Sequence, residues 1–365
     1  MTESTSLLRP IPEFDGVHEV WPRGDRLEAI RSAAEKYHDR FVGQGQVEAV
    51  RTVDIATAPY PARFAFQGYS VNVNPFISIT NRMMVVQFEG FDGELKTLVW
   101  EPTVAAGSAQ APFYNKIQKF GDALRAGRFF VKYYNDPDDV LPSLGLTNED
   151  VDYISFDHLH VQDVRMIMGS DKPLPGESAP REPLFPNAKL LVHRKELGTF
   201  ESMHPMQWAW YVENGMDGVP QDRLEIFDGD VELGVGVSLL WTPGHTDGNH
   251  SLCINTPDGV WVQSENGMAP DSWQPEHSKI PGVKAQAEFY GREVVLNSNT
   301  LEDSVDQYDS MIKEKTMASR SARDPRWMQV IPSSECVDWK RQWPVVPTYS
   351  HGTLNYGMIA VPSRD

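Results

Sequence analysis

The residues of this chain best suited to chemistry are two histidines that stand two positions apart in the segment FDHLHVQDVR, residues 156–165. The apolar run VDYIS comes just before them and predicts a short buried strand. Side chains two apart on an extended chain point to the same side, so His158 and His160 would face one site together. An H-x-H pair at the end of a strand therefore indicates a metal site more strongly than a single histidine does.

Two later segments offer further ligands in a similar setting. The run VSLLW leads into TPGHTDGNHSL, where Pro243 and Gly244 turn the chain and present His245. The apolar run in GVWVQSENG ends on Glu265, which by itself could equally be a solvated loop acid. Three imidazoles and one carboxylate from the ends of different strands would suit Zn, Fe or Mn.

The elements that must position these residues are mostly strands. Residues 1–46 are expected to form an N-terminal arm with one amphipathic helix, because DRLEAIRSAAEKYHDRF places apolar residues at helical spacing behind Asp25, the expected N-cap. From Val47 onward, apolar and β-branched runs separated by Gly, Pro and Asp predict strands, the last of them in WMQVIPSSE. Helices are expected around YNKIQKFGDALRA and from Asn299 to about Lys315.

Composition limits the partners of the protein. The 365 residues carry 33 Lys and Arg against 51 Asp and Glu, a net charge of −18 that is spread along the chain. This charge argues against nucleic acid or an anionic membrane as partner, and leaves a small-molecule substrate. The apolar stripe of the N-terminal helix would suit either the core or a homodimer contact.

The sequence also indicates a compartment and excludes several kinds of site. Two cysteines, Cys253 and Cys336, are too few for a disulfide framework, and neither a signal peptide nor a membrane-length apolar run is present, so the cytoplasm is expected. Segments of the types G-x-S-x-G, Walker A, G-x-G-x-x-G after a strand, and C-x-x-C are all missing from the sequence.

Several of these segments, taken in order, resemble the metallo-β-lactamase superfamily. They are LPSLGLTNEDVDYISFDHLHVQD, FPNAKLLVHRKE, TPGHTDGNHSL and the strand that ends at Glu265, and the resemblance covers roughly Val47 to Cys336. It implies an α/β fold for residues 47–365, a four-layer αββα sandwich with a metal site at one edge between the sheets. It also implies that His158, His160 and His245 form the first metal site of the family's H-x-H-x-D-H pattern.

The departures from the family pattern fall on the second metal site. Gln162 and Asp163 stand where the family has Asp and His, Glu265 replaces a bridging Asp, and Ser334 stands where the family has a closing His. Neutral Gln162 can form hydrogen bonds but cannot act as a base. A single ion, with Glu265 as fourth ligand or as the base, therefore fits the residues better than a standard di-zinc site.

Two residues could rebuild a second ion site. Asp163 could act there as ligand or base, or could instead pair with the nearby Arg165. His351, in TYSHGTL, could replace the missing histidine. One or two ions per chain, zinc or alternatively iron or manganese, are consistent with these residues.

Other residues are expected around the ions. Asp157 could accept the second ring N–H of a ligand histidine. Gln162 and His250 would contact the ligands by hydrogen bonding or packing without binding the ion themselves. The aromatic segment ESMHPMQWAWYVENGMDG could line a substrate pocket or pack into the core. Its candidate pocket residues are Trp208, Trp210 and Tyr211.

The resemblance favours a metal-dependent hydrolase of a small ester-, lactone- or amide-like substrate, which could be aromatic, acting through a metal-bound water. Two alternatives stay open: an iron enzyme with one or two ions that activates oxygen on the same residues, and a non-catalytic degenerate relative. The substrate itself is not determined, because one fold hosts many chemistries.

Overall fold

A computed structural model of the chain describes residues 8–123, 131–298, 304–339 and 345–362. The strands within these ranges are β1 (Arg9–Pro10), β2 (Ala49–Pro61), β3 (Phe76–Glu89), β4 (Leu95–Trp100), β5 (Lys132–Tyr133), β6 (Tyr153–Ser155), β7 (Ser170–Pro173), β8 (Pro180–Arg181), β9 (Lys189–His193), β10 (Leu224–Phe227), β11 (Val231–Gly234), β12 (Val237–Trp241), β13 (His250–Thr256), β14 (Gly259–Ser264), β15 (Val330–Pro332), β16 (Ser334–Val337) and β17 (Asn355–Tyr356). The helices there are α1 (Arg23–Gln44), α2 (Ala62–Ala65), α3 (Ala105–Ser108), α4 (Pro112–Ala123), α5 (Pro137–Ser143), α6 (Arg165–Met168), α7 (Arg194–Glu201), α8 (Pro270–Trp273), α9 (Val283–Tyr290) and α10 (Ser304–Met317).

The strands form two large sheets and one small hairpin. The first sheet has the order β1-β11-β12-β13-β14-β15. The second has the order β10-β9-β6-β4-β3-β2-β17, with β16 paired to β3 and β5 paired to β2, while β7 and β8 pair with each other. Strands β4, β6, β9 and β10 run parallel to one another, so the loops that follow them leave the sheet at one edge.

An apolar layer between the two large sheets holds them together. Val86 and Leu98 from the second sheet pack in one cluster with Leu239 and Leu252 from the first. All four side chains are fully buried. Each contributes on the order of 1.5–3 kcal/mol to folding relative to an exposed position.

Helices cover the outer faces of both sheets. On the first sheet, Cys253 packs with Tyr37 of α1 and Met311 of α10. On the second, Val85 packs with Val140 of α5. Because both faces of each sheet are covered, strands such as β3 are buried along almost their whole length, without an alternating exposed face. The predicted αββα sandwich is confirmed.

The N-terminal helix differs from its predicted start. Asp25 was expected to be the N-cap, but α1 begins at Arg23 after Pro22, and Asp25 lies in the first turn, where its charge favours the helix dipole. The apolar stripe of the helix is buried within the chain, and Arg26 contacts Asp309 of α10 at 2.7 Å. The stripe is therefore part of the core. It no longer supports the expectation of a homodimer contact.

Other predicted elements are found close to their expected positions. The helix expected around YNKIQKFGDALRA is α4, although residues 124–130 lie outside the described ranges. The helix expected from Asn299 is α10, and residues 299–303 are likewise outside those ranges. The strand expected in WMQVIPSSE is β15, but it is not the last one, because β16 and β17 follow it. None of the helices in the described ranges has both the length and the apolar character needed to cross a membrane.

Candidate metal centre

Three buried histidines meet where strands of the two sheets end. His158 and His160 follow β6, and His245 follows β12 in the turn that begins at Pro243. Their candidate ligand atoms all lie within 4.8 Å of one another. Gly244 has φ 122° and packs so closely on α10 that a Cβ there would lie 2.1 Å from the backbone nitrogen of Gln307, so the turn requires glycine.

Each ring of the H-x-H pair has one nitrogen engaged by an oxygen of the protein. His158 Nδ1 lies 2.5 Å from Asp157 Oδ1, and His160 Nε2 lies 2.5 Å from Gln207 Oε1. Since an oxygen acceptor requires N–H at the nitrogen it faces, the candidate ligand atoms are Nε2 of His158 and Nδ1 of His160. Although burial raises its pKa, the neighbouring His158 lowers the pKa of Asp157 to about 2, so this carboxylate is ionised.

His245 completes the candidate set with its Nδ1 at 3.4 Å from the backbone oxygen of Asn297, which favours Nε2 as its candidate ligand atom. Burial lowers the pKa of His160 and of His245 well below the usual range, and the adjacent His158 lowers both further. Neutral imidazole is the form that binds a metal. The donor set therefore fits a divalent ion such as zinc.

A buried carboxylate that the sequence analysis missed joins the two ligand loops. Glu196 of α7 accepts hydrogen bonds from the Leu159 N–H at 2.8 Å and from the Tyr211 and Thr246 hydroxyls, both at 2.6 Å. Leu159 lies between the paired histidines, and Thr246 follows His245. One side chain thus fixes the relative position of both loops. Nothing local in HRKEL distinguishes this glutamate from an exposed one.

Glu265 lies at the end of β14 and lines the same pocket as the histidines. Its Oε2 accepts the Ser334 N–H at 2.8 Å. Burial raises the pKa of Glu265 well above the usual range, and the negative charge of Asp157 raises it further. A third carboxylate, Glu101 at the end of β4, accepts the Asp157 N–H at 2.6 Å and was not singled out from the sequence.

The three aromatic residues expected around the pocket have three different environments. Trp210 is buried and lines the pocket beside the histidines. Trp208 is 56% exposed and does not contribute to the pocket wall. Tyr211 is buried in the core and directs its hydroxyl to Glu196. The segment therefore serves as pocket wall, surface and core in turn.

Two tyrosines that the sequence analysis did not select also line the metal pocket. Tyr60, at the end of β2, donates its hydroxyl to Asn297 Oδ1 at 2.6 Å. Tyr114 of α4 lies between the metal pocket and the cavity next to it. Burial raises the pKa of the Tyr114 phenol, and the nearby Glu265 raises it further, so the hydroxyl stays protonated and can act as a donor.

The structure places Asp163 and His351 away from the three histidines. Asp163 accepts from Arg165 Nε and Nη2 at 2.7 and 2.8 Å, which is the ion pair left open as the alternative. His351 packs its ring on Trp261, and its Nε2 lies 2.8 Å from the Met328 backbone oxygen. The Arg165 guanidinium, two residues away, pairs with Asp163. The C-terminal segment places His351 against Trp261, away from the three histidines. Neither residue therefore rebuilds a second site in this arrangement.

The remaining support residues have local partners. Gln162 lines the pocket and donates its amide to Thr103 at 2.9 Å. His250 lies in β13, with Nε2 at 3.0 Å from the Ser155 hydroxyl and Nδ1 at 3.2 Å from the Gly248 oxygen. His250 thus contacts β6, the strand that leads to the H-x-H pair, and helps to hold it in place.

Two facing sheets covered by helices, with three histidines from strand-end loops at one edge, define the metallo-β-lactamase fold, and the resemblance seen in the sequence is confirmed at this level. The chain is similar to an N-acyl homoserine lactonase of Bacillus cereus, with 30% identity over 119 residues, 32% of this chain and 38% of the relative. A lactonase of the same description from Bacillus sp is 31% identical over 117 residues. The chain thus matches well under half the length of these curated relatives. No protein-family model matches it.

Solved structures give more extensive but more distant likenesses. A quorum-quenching N-acyl homoserine lactone lactonase has TM-score 0.43 and 16% identity, covering 68% of this chain and 89% of its own. AidC, a dizinc quorum-quenching lactonase in complex with a product, has TM-score 0.48 and 11% identity, covering 86% of this chain and 95% of its own. The fold assignment rests on the layers and strand order of the chain itself.

Proposed function

We propose that this protein is a metal-dependent hydrolase that opens a lactone or cleaves a related ester of a small molecule. The observation that carries the proposal is the group of three buried imidazoles whose ligand atoms lie within 4.8 Å of one another. The curated relatives supply the first substrate to test, an N-acyl homoserine lactone.

We propose one divalent ion per chain, zinc first and iron or manganese as alternatives, held by His158, His160 and His245. Such an ion would polarise the substrate carbonyl and lower the pKa of a bound water to about 7. Glu265 lines the same pocket and is the proposed base, accepting a proton from the attacking water and returning it to the leaving oxygen. The positive charge of the ion would favour the ionised form of this glutamate.

Tyr114 is the proposed donor to the substrate carbonyl oxygen. Its hydroxyl is protonated for the reason given above, and its position at the pocket wall lets it contact a substrate that enters from the adjacent cavity. Asp157 is proposed to hold His158 in the tautomer that a metal requires, and Trp210 to exclude water from one side.

The local partners of Asp163 and His351 weigh against the two-iron alternative, since the residues that would rebuild a second site are engaged elsewhere. The Gln162–Thr103 hydrogen bond fits a second site lost to ordinary packing. The non-catalytic alternative is less well supported, because all three histidines are present and each has an oxygen partner. A cytoplasmic location remains a proposal, supported by two buried unpaired cysteines.

The first test is elemental analysis of the protein purified without added metal or chelator, together with hydrolysis of N-acyl homoserine lactones. We expect about one zinc per chain, loss of the metal in His158→Ala, and retention in the matched control His351→Gln. Hydrolysis that survives complete removal of metal, or equal metal content in both variants, would refute the proposal.

A further inference from the structure

One buried asparagine next to the metal pocket has a hydrogen-bond partner for each of its polar groups. Asn297 follows the apolar residues 294–296 and is fully buried. Its backbone N–H, its backbone oxygen and both atoms of its side-chain amide are all engaged within the chain. Asn297 does not line the pocket, so its effect on the site would have to pass through the residues that it contacts.

The backbone of Asn297 faces the third candidate ligand. Its oxygen lies 3.4 Å from His245 Nδ1 and accepts a hydrogen bond from Gln307 Nε2 at 2.6 Å. A carbonyl oxygen has two lone pairs, so it can accept from both donors at once. Gln307 belongs to α10 and also donates to the Asn266 oxygen at 3.1 Å, which accepts the Asn297 N–H at 2.8 Å. The helix and the loop after β14 therefore hold the Asn297 oxygen against the histidine ring.

The side chain of Asn297 contacts two residues of the pocket wall, one from each sheet. Its Nδ2 donates to the backbone oxygen of Glu265, which follows β14, at 3.2 Å. Its Oδ1 accepts the hydroxyl of Tyr60, near the end of β2, at 2.6 Å. An asparagine amide offers a donor and an acceptor at separate atoms, whereas aspartate offers two acceptors and leucine neither. The amide therefore links the backbone of the proposed base to the opposite wall of the pocket.

We infer that Asn297 is a positioning residue that aligns His245, the third candidate ligand, with Glu265, the proposed base. This inference rests on the proposed function and deepens it, because the relative position of ligand and base then depends on one buried side chain. The Asn297 oxygen keeps a proton on His245 Nδ1, which leaves Nε2 free for the ion. Loss of the amide would leave a buried hydroxyl and a buried carbonyl without partners, so the segments that carry them would shift.

The first test measures zinc affinity by competition with a chelator. Asn297→Leu removes both polar atoms of the side chain with little change in shape, and we expect it to weaken zinc binding about 10–100-fold. Gln307→Met removes the other donor to the Asn297 oxygen and should weaken binding as well, which keeps the test decisive if the leucine variant does not fold. Asn187→Leu is the matched control, because this exposed asparagine also donates to a backbone oxygen, that of Glu149 at 2.8 Å.

The second test needs no metal. In the protein stripped of metal, NMR shifts of the histidine ring nitrogens report which nitrogen carries the proton, and the His245 signals are those missing from His245→Ala. We expect the proton on Nδ1 in the wild type and in Asn187→Leu, and a measurable share of the Nε2–H form in Asn297→Leu. A role of Asn297 in stability alone would leave this signal of the folded protein unchanged.

Kinetics and the two tests together separate the inference from the proposed function. At saturating zinc, kcat of Asn297→Leu for a lactone or ester should fall about tenfold or more with KM within about twofold, because a displaced base impairs reaction more than binding. Unchanged zinc affinity and an unchanged His245 tautomer in Asn297→Leu would overturn the inference and leave the hydrolase proposal intact. Both effects in a protein that hydrolyses no lactone or ester would instead refute the proposed function and preserve the role of Asn297. A wild type that binds no metal would also refute that function, and the tautomer comparison would then decide the inference.

Discussion

Each of the three histidines at the centre has one ring nitrogen facing an oxygen of the protein. This contact determines which of its two nitrogens is the candidate to bind a metal. Asp157, Gln207 and the Asn297 backbone oxygen each face one ring nitrogen of a histidine. The tautomers are thereby set before an ion arrives, which reduces the cost of ordering the ligands. Residues that hydrogen-bond the histidines, or the loops that carry them, should therefore affect metal affinity.

Glu196→Gln tests this directly. Both oxygens of Glu196 accept hydrogen bonds from donors on the ligand loops, and an amide nitrogen would face one of those donors instead. We expect zinc affinity, measured by competition with a chelator, to fall about 10–100-fold. The control is Glu201→Gln at an exposed position of the same helix, and unchanged affinity in Glu196→Gln would show that the loops hold the site without it.

Tyr114→Phe tests the proposed carbonyl donor. Removing one preorganised donor to a developing oxyanion costs on the order of a hundredfold in kcat. We expect a fall of that order in kcat for lactone hydrolysis with little change in KM or zinc content. Tyr290→Phe, at a tyrosine that is 59% exposed, is the control. A kcat within twofold of wild type would remove Tyr114 from the reaction.

At the scale of elements, α10 supplies buried charge beneath the first sheet. Glu314 is fully buried and accepts hydrogen bonds from Ser251 and Ser264 at 2.8 Å each, Asn266 at 2.6 Å and Trp273 at 2.9 Å. These partners lie in β13, β14, the loop after β14 and α8. One carboxylate therefore joins the helix to the strand end that carries Glu265.

Glu314→Gln should destabilise the fold, because the amide nitrogen would face either the indole N–H of Trp273 or the donors grouped at the other oxygen. We expect a loss of about 3 kcal/mol in the free energy of unfolding, measured by urea denaturation. Glu276→Gln, at an exposed glutamate, should lie within about 0.5 kcal/mol of wild type. Equal stability of the two variants would mean that the carboxylate contributes nothing beyond its shape.

The same scale explains what the sequence could predict. The H-x-H pair and the P-G-H-T turn were visible because each directly follows an apolar strand. Glu196 and Asn297 were not, since only the packing of separate segments brings them to the centre. For Asp163 the sequence left two roles open, a second-site ligand or an ion pair, and in the structure Arg165 pairs with it. Local pattern therefore predicted the histidines that the structure brings together, whereas tertiary contacts determine which residues hold them in place.

At the scale of the whole molecule, four histidines outside the centre are neutral rings in the folded chain, of which His193 and His250 are buried and His18 and His351 are half-buried. Burial lowers the pKa of His18 and His193 to about 3 and that of His250 and His351 to about 4. In the unfolded chain each would titrate near about 6.5. Between these values the unfolded chain binds more protons, so these groups reduce stability as pH falls from about 6.5 toward about 4.

His351→Gln isolates one of these contributions, because glutamine can still donate to the Met328 oxygen but does not titrate. At about pH 7.5 both forms of the residue are neutral in both states, so the two proteins should differ little in their free energy of unfolding. At about pH 5 the wild type should have lost about 2 kcal/mol more than the variant. Urea denaturation at the two pH values measures the difference, in which all carboxylates common to both proteins cancel. Parallel losses in the two proteins would mean that His351 is as accessible to protons in the folded chain as in the unfolded one, and that the C-terminal segment does not hold it against Trp261.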